Sequence, residues 1–216
     1  QYMVIKDNEA ISIIPDNTSF KEAVACAEGG HYAFNFLNNL NFNKDTKVLV
    51  NGATGAIGVN LVQLLSEKGV QVTAVGNSKN IELIKSLGAK KTIDYLLEDF
   101  TIDNEKYHYI FDAVGKSSFY KCRHLLLPKG IYKSSELGPY SQNLYLPLWT
   151  KIFNSQKVVF PIPKNPKRTI EYLTDLLGKN KLKAVIDREY SMENIKEAYD
   201  FVESGEKTGS VIIRYE

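Results

Sequence analysis

Cysteine is scarce. Cys26 and Cys122 are the only two in 216 residues, they stand far apart, and neither belongs to a metal-ligand spacing. That count excludes a disulfide framework and a four-cysteine zinc lobe, and a reducing, cytoplasmic location is expected. Long apolar runs are missing as well. None approaches the roughly 20 residues that a membrane helix needs, and the start has no basic segment followed by an apolar core that would direct export. Nor is one sign of charge in excess: 27 basic residues face 25 acidic ones, without a long block of either. Nucleic acid and anionic membranes are therefore not expected as partners. What is present, 44% hydrophobic and 24% charged residues, is ordinary globular usage and supports one good-sized core.

The centre of the chain alternates short β-branched runs with helical patterns, as a parallel sheet with crossover helices does. Strands are expected at 47–53, 71–76, 90–95, 109–115, 130–136 and 158–163, the last an edge strand because it holds Pro161. Ile57, Leu61, Leu64 and Leu65 mark a helix closed by Gly69, and Ile81, Ile84 and Leu87 mark another that ends at Gly88. Asn165 and Pro166 open a helix carrying Ile170, Leu173, Leu176 and Leu177. Beyond it come a strand in KAVIDREY, a helix capped by Ser191, and a strand in SVIIRY. The opening residues read as extended chain, followed from Ser19 by a helical stretch interrupted at Gly29 and Gly30. The fold class is α/β, a doubly wound six-stranded parallel sheet.

Gly52, Gly55 and Gly58 give the spacing GxxGxxG between the first strand and its helix, with Ala53 and Thr54 in the turn. Backbone amides and a helix dipole there can face a pyrophosphate. A site of this kind normally carries an acidic residue about 20 positions on, which holds the ribose hydroxyls of NAD. The stretch Gly76–Asn80 has none; it offers Ser78 and Lys79, which can donate to a 2′-phosphate, so the expected cofactor is NADPH. The plainer alternatives are a solvated Lys79 and a Ser78 that only caps a helix.

The segments VLVNGATGAIG, SLGAKKTIDYLLEDF, IFDAVGKSSF and LKAVIDREYSMENIKEAYDFVESGEKTGSVII, in that order, resemble the quinone oxidoreductase-like branch of the medium-chain dehydrogenases/reductases. The resemblance covers almost the whole chain. It implies a Rossmann domain over 18–180 and a GroES-like catalytic domain, of which 1–17 and 181–216 are the remaining segments. With so little sequence ahead of the first strand, the chain reads as N-terminally truncated. The implied activity is metal-free hydride transfer from NADPH to a quinone or an α,β-unsaturated carbonyl, a small-molecule substrate bound between the domains. The implied assembly is a homodimer through the sixth strand. Carried over residue by residue, Ala56, Ile57 and Gly58 fall at the pyrophosphate, and Ser78, Lys79 and Tyr95 fall around the 2′-phosphate. Val114 and Gly115 fall on the adenosine side, and Ser134 at the nicotinamide end. No catalytic residue is assigned.

Several residues have a structural reading that competes. Tyr95 equally suits a half-buried packing residue. Asp112 is expected to accept backbone hydrogen bonds and fix a loop rather than act as an acid. Cys122 and His124 are expected to be a buried thiol beside a surface histidine, not zinc ligands. The segment 139–153, with Tyr140, Tyr145 and Trp149, is expected as dimer surface or core ahead of a substrate cleft. A short-chain reductase is excluded by topology: its Tyr and Lys four apart would follow the glycine loop, but Tyr2 and Lys6 precede it. The rival from another class is a non-enzymatic NADPH-binding redox-sensor module.

Overall fold

The computed structural model describes residues 9–153 and 155–215, together with Val4 and Lys6. The first strand, β1 (Lys47–Asn51), leads through α2 (Ala56–Glu67) to β2 (Gln71–Gly76), and α3 (Ile81–Ser86) leads on to β3 (Lys91–Asp94). β4 (Tyr107–Asp112), α4 (Phe119–Cys122), β5 (Leu126–Ser134), α5 (Gln142–Phe153) and β6 (Lys157–Val159) complete the sheet. All neighbours are parallel, in the order β3-β2-β1-β4-β5-β6. The doubly wound α/β sheet expected from the alternation of patterns is the observed one.

The sheet is covered on both faces because its strands are apolar at successive positions. Val48 and Val50 of β1, with Val72 and Ala74 of β2, pack beneath α1 (Phe20–Leu37), α2 and α6 (Pro166–Gly178). Leu49, Val75 and Ile110 face the other way, onto Phe119, Cys122, Leu125 and Leu146. That is the near-continuous hydrophobic strand of a buried parallel sheet rather than the alternation of a half-exposed one.

Strand limits differ from the expected ones for identifiable reasons. β1 stops at Asn51 because Gly52 turns to φ 77°. β5 begins at Leu126, ahead of the expected 130, with Lys129 at φ 66° and a register shift against β4 taking up the turn-like Pro-Lys-Gly. β6 is only three residues long and lies at the edge, since Pro161 and Pro163 beyond it have no N–H to offer.

The expected break at Gly29 and Gly30 is absent: α1 runs through both. The reason is proximity. A β-carbon on Gly29 would stand 2.4 Å from the Ala56 carbonyl oxygen, and one on Gly30 2.7 Å from Leu173. These glycines let α1 lie against α2 and α6, which offsets their cost of roughly 1 kcal/mol each in a helix interior. Ser19 and Glu22 open α1 with a reciprocal capping box.

The chain ends in a separate β-α-β unit. β7 (Ile186–Ser191) and β8 (Ser210–Arg214) pair in parallel across α7 (Ile195–Glu203). Ser210 Oγ donates to the Ala25 carbonyl at 3.0 Å and Lys21 pairs with Glu189 at 2.8 Å, so this unit rests on α1. The expected cap at Ser191 takes the form of a short 3₁₀ turn, with no capping bond from the Ser191 side chain. Of the extended opening stretch, most residues before Glu9 lie outside the described residues; the later part crosses α6, with Ser12 Oγ 2.8 Å from Thr174 Oγ1.

One lysine is inside. Lys133 of β5 is 2% exposed, and its Nζ donates to the carbonyls of Phe36 (2.8 Å) and Asn38 (3.1 Å), which α1 leaves open at its C-terminal end. Burial pushes its ammonium down to about 8. Below that pH both the folded and unfolded chain carry the proton and the full desolvation cost is felt. Between about 8 and the ordinary lysine value the folded state sheds its proton first, and the cost is relieved. Against Lys133→Met, the wild type should therefore gain stability from pH 7 to pH 10, by on the order of 3 kcal/mol at most. Urea unfolding of both proteins across that range checks this; a constant difference would mean that the lysine titrates normally.

Candidate functional site

The winding of the sheet reverses between β1 and β4, and in such sheets ligands sit outside the carboxyl ends of the two strands that flank the reversal. The glycine turn lies at that point. Gly52 closes it at φ 77°, where an added β-carbon would meet Val114 Cβ at 2.7 Å. Gly58 brings the helix down onto the turn, so that a β-carbon there would stand 2.1 Å from the Gly52 carbonyl oxygen. Gly55, between them, is the N-cap of α2 and supplies no side-chain cap. The first-turn amides of Ala56, Ile57 and Gly58 are thus free of a capping oxygen, at the positive end of a helix of 12 residues.

What holds this corner is Asp112, fully buried at the end of β4. Its Oδ1 accepts from Asn51 Nδ2 (3.0 Å) and Gly115 N (3.0 Å), and its Oδ2 from Ser117 N (3.0 Å) and the Tyr132 hydroxyl (3.1 Å). Burial, then the Asp112 charge, pushes the Tyr132 phenol far up, so it remains a donor. The carboxylate joins the end of β1 to the loop 113–117 and to β5, and has no free face for acid chemistry. Gly115 (φ 69°) and Val114 follow directly from this clamp.

The end of β2 carries a correction. No carboxylate was expected beside Ser78, yet Asp94 stands there, brought by β3, whose register sets it against Gly76. Ser78 Oγ donates to Asp94 Oδ2, and Leu96 N donates to Asp94 Oδ1 at 3.0 Å. Lys79 and Tyr95 flank the pair, both exposed to solvent. A carboxylate is thus brought to the end of β2 by the neighbouring strand, which no spacing within one βα unit reveals.

Gly52, Thr54, Gly55, Ala56, Ile57 and Val114 line one cleft of about 370 Å³. Ser134 does not join them: it is buried at the end of β5, beside Asp112, and accepts from Glu136 N at 3.2 Å. Residues that the sequence did not point to complete the cleft, among them Glu28 and Tyr32 of α1 and Gly205 and Lys207 after α7. The only advance signal was the Gly29-Gly30 pair, which marks where α1 approaches the turn. A larger cavity, about 790 Å³, lies between α1, α6 and β8, lined by Ile14, Phe20, Val24 and Leu173. Its walls are mainly apolar, with Ser12, Lys21, Thr174 and Arg214 among them, and it lies away from the glycine turn, so the candidate site is the smaller cleft at the reversal of the sheet.

Cys122 is fully buried with Ser117 Oγ at 3.1 Å, and burial pushes its thiol up to about 11, while His124 is exposed, its Nε2 2.7 Å from the Thr101 carbonyl. His108 Nδ1 accepts from Lys47 N at 3.1 Å. Among the described residues no group of three or more His, Cys, Asp or Glu could hold a metal ion. Tyr140, Tyr145 and Trp149 are exposed along the segment 139–153, while Leu146 and Thr150 of α5 are buried, so the segment gives one face to the core and leaves its aromatic side chains in solvent.

Comparison with known proteins places the fold. Residues 87–213 match a family model described as zinc-binding dehydrogenase. The chain belongs to that family. Within it, the chain falls on the quinone oxidoreductase-like branch of the medium-chain dehydrogenases/reductases. It is 26% identical to the quinone-oxidoreductase homolog of Spinacia oleracea, over 99% of this chain and 67% of that protein. It is also 26% identical to 2-methylene-furan-3-one reductase of Solanum lycopersicum, over 99% of this chain and 51% of the relative. In structure it is similar to the Escherichia coli quinone oxidoreductase complexed with NADPH, with a TM-score of 0.80 at 20% identity, covering 94% of this chain and 68% of that one. The Coxiella burnetii quinone oxidoreductase gives a TM-score of 0.83 at 21% identity, covering 93% and 62%. The chain thus spans about half to two thirds of the length of these relatives.

The Asp112 clamp has a measurable consequence. Asp112→Ala should cost roughly 3–5 kcal/mol, because four donors, three of them buried, lose their acceptor at once. Urea unfolding measures it; a loss below about 1 kcal/mol would mean that the loop 113–117 is held by its backbone alone.

Proposed function

We propose that this chain carries the dinucleotide-binding part of an NADPH-dependent oxidoreductase that transfers hydride to a quinone or an α,β-unsaturated carbonyl without metal. The observation that carries the reading is the glycine turn Gly52–Gly58 at the reversal point of the sheet, a cradle that β-carbons would fill, beneath uncapped helix amides. When bound, the nicotinamide cofactor supplies the hydride. This chain's own residues bind and orient it. The amides of Ala56, Ile57 and Gly58 face the diphosphate and Val114 and Gly115 wall the adenosine side, whereas Ser134, buried against Asp112, supports the end of β5 and does not touch the ligand. Relatives named as quinone oxidoreductases and as an enone-type reductase support the substrate class.

In this reading 18–180 is the Rossmann domain, and 1–17 and 181–216 belong to the second lobe. A reducing compartment suits two buried thiols, Cys26 being pushed up to about 12 by its burial. Some relatives are named as chloroplastic or mitochondrial, so the cytoplasm is one of several such compartments. Among the described residues no helix is long and apolar enough to cross a membrane.

Preference for NADPH rests on Lys79, since Ser78 is held by Asp94. Lys79→Ala should weaken NADPH by on the order of tenfold or more and leave NADH nearly unchanged, because only NADPH carries the 2′-phosphate. Fluorescence titration of both cofactors checks the asymmetry. Should NADH be the tighter ligand from the start, Asp94 holds the ribose and Lys79 is a solvated residue. A screen of quinones and enals then separates the enzyme from a binding module: turnover supports the former, tight binding without turnover the latter.

The partner we propose is a second copy of this chain. The outer edge of β6 is unpaired in the sheet, and beside it α5 exposes Leu148, Trp149 and Phe153. Sedimentation analysis should find a dimer, and Trp149→Glu should shift it to monomer; a monomeric wild type would remove the sixth strand from consideration.

A further inference from the structure

The cleft at the glycine turn holds one cation among its described lining residues, and it comes from the C-terminal unit. Lys207 lies in the turn between α7 and β8, partly buried, with Gly52, Thr54, Gly55 and Ala56 on the same cleft wall. Its position is fixed by bonds that tie this turn to the sheet. Lys207 Nζ donates to the Gly209 carbonyl at 2.8 Å, and Gly209 N donates to the Thr54 carbonyl at 2.7 Å, making a parallel bridge between Gly55 and Gly209. Thr208 is held on both sides: its N donates to Asp187 Oδ2 at 2.7 Å, and its Oγ1 accepts from the buried Asn80 Nδ2 at 2.9 Å.

An ammonium has three donors, and the Gly209 carbonyl takes one. Among the described residues no carboxylate comes within ion-pair distance of Lys207, although Asp187 and Glu28 lie near enough for their charges to be felt. Burial opposes its charge. A half-desolvated cation with spare donors, at the mouth of a helix amino end, is matched by a ligand with concentrated negative charge. The diphosphate of a dinucleotide has that charge, at the height of the glycine turn.

We infer that Lys207 supplies the positive charge of the diphosphate subsite, reaching it from the C-terminal unit rather than from the sheet. The inference rests on the dinucleotide reading above and extends it to a residue outside the Rossmann core. It also separates two cations by role: Lys79 reads the 2′-phosphate, whereas Lys207 serves any ligand with the diphosphate.

The test is calorimetric titration of NADH, NADPH and ADP-ribose into the whole chain, as wild type, Lys207→Met and Lys207→Arg. Methionine keeps the apolar stem and removes the charge; arginine keeps the charge. Lys207→Met should weaken all three ligands alike, by roughly ten- to thirtyfold, with the NADPH-to-NADH ratio unchanged. Its affinity should also fall less steeply with added salt than that of the wild type, and Lys207→Arg should recover most of the loss. A lysine that merely clamps the turn would leave the salt dependence as it is. Unchanged affinities in a folded Lys207→Met protein, or a loss that arginine does not repair and salt does not distinguish, overturn the inference and leave the dinucleotide reading standing. A wild type that binds none of the three ligands overturns that reading, and the role of Lys207 with it. If Lys207→Met does not fold, Lys207→Gln and the salt dependence of Lys207→Arg decide between the same outcomes.

Discussion

The geometry of the site depends on a single buried carboxylate. Two strands that part at a reversal of winding leave a gap between their ends, and the gap has to be rigid for a turn of small residues to hold a shape. Asp112 provides the rigidity by bonding β1 through Asn51, its own following loop through Gly115 and Ser117, and β5 through Tyr132. Because the group sits where water cannot replace any of these partners, the bonds are worth keeping together and costly to lose singly. Gly52 fits against Val114 only while that loop is in place. The glycine spacing is therefore one half of the device, and the acid 60 residues later in the chain, on the next strand of the sheet, is the other.

Much of this was readable from residue patterns alone. The β-branched runs and helical periods pointed to a six-stranded, doubly wound parallel sheet, since a chain that alternates strands with crossover helices has few ways to close. The glycine turn was readable because its three positions carry separate steric demands. Where the reading failed, the deciding contact was long in sequence. Gly29 and Gly30 looked like helix breakers because α2 and α6, which need them small, are not visible from α1. Asp94 was missed beside Ser78 because strand register, not spacing, sets it against Gly76. Lys207 had no local signature at all: it is a lysine in a polar turn, and only the bridge from Gly209 to Gly55 puts it beside the site.

Three buried or half-buried charges show how differently one interior can treat ionised groups. Asp112 is surrounded by donors and anchors structure. Lys133 meets two helix-end carbonyls and is held mainly as a cap on α1, at an energetic cost that its low proton affinity expresses. Lys207 meets one carbonyl and otherwise faces a cleft. The order of increasing freedom, from anchor to cap to open donor, is also the order of increasing suitability for meeting a ligand.

The bridge between Gly55 and Gly209 has a temporal side. The sheet strands follow one another in sequence and can assemble as the chain leaves the ribosome, but the last contact on the glycine turn joins positions some 150 residues apart. The turn is thus shaped by one part of the chain and roofed by a much later one: without β8 the sheet would keep its core while the cleft stood open on one side, so the shape of the cleft depends on a contact that the core itself does not need.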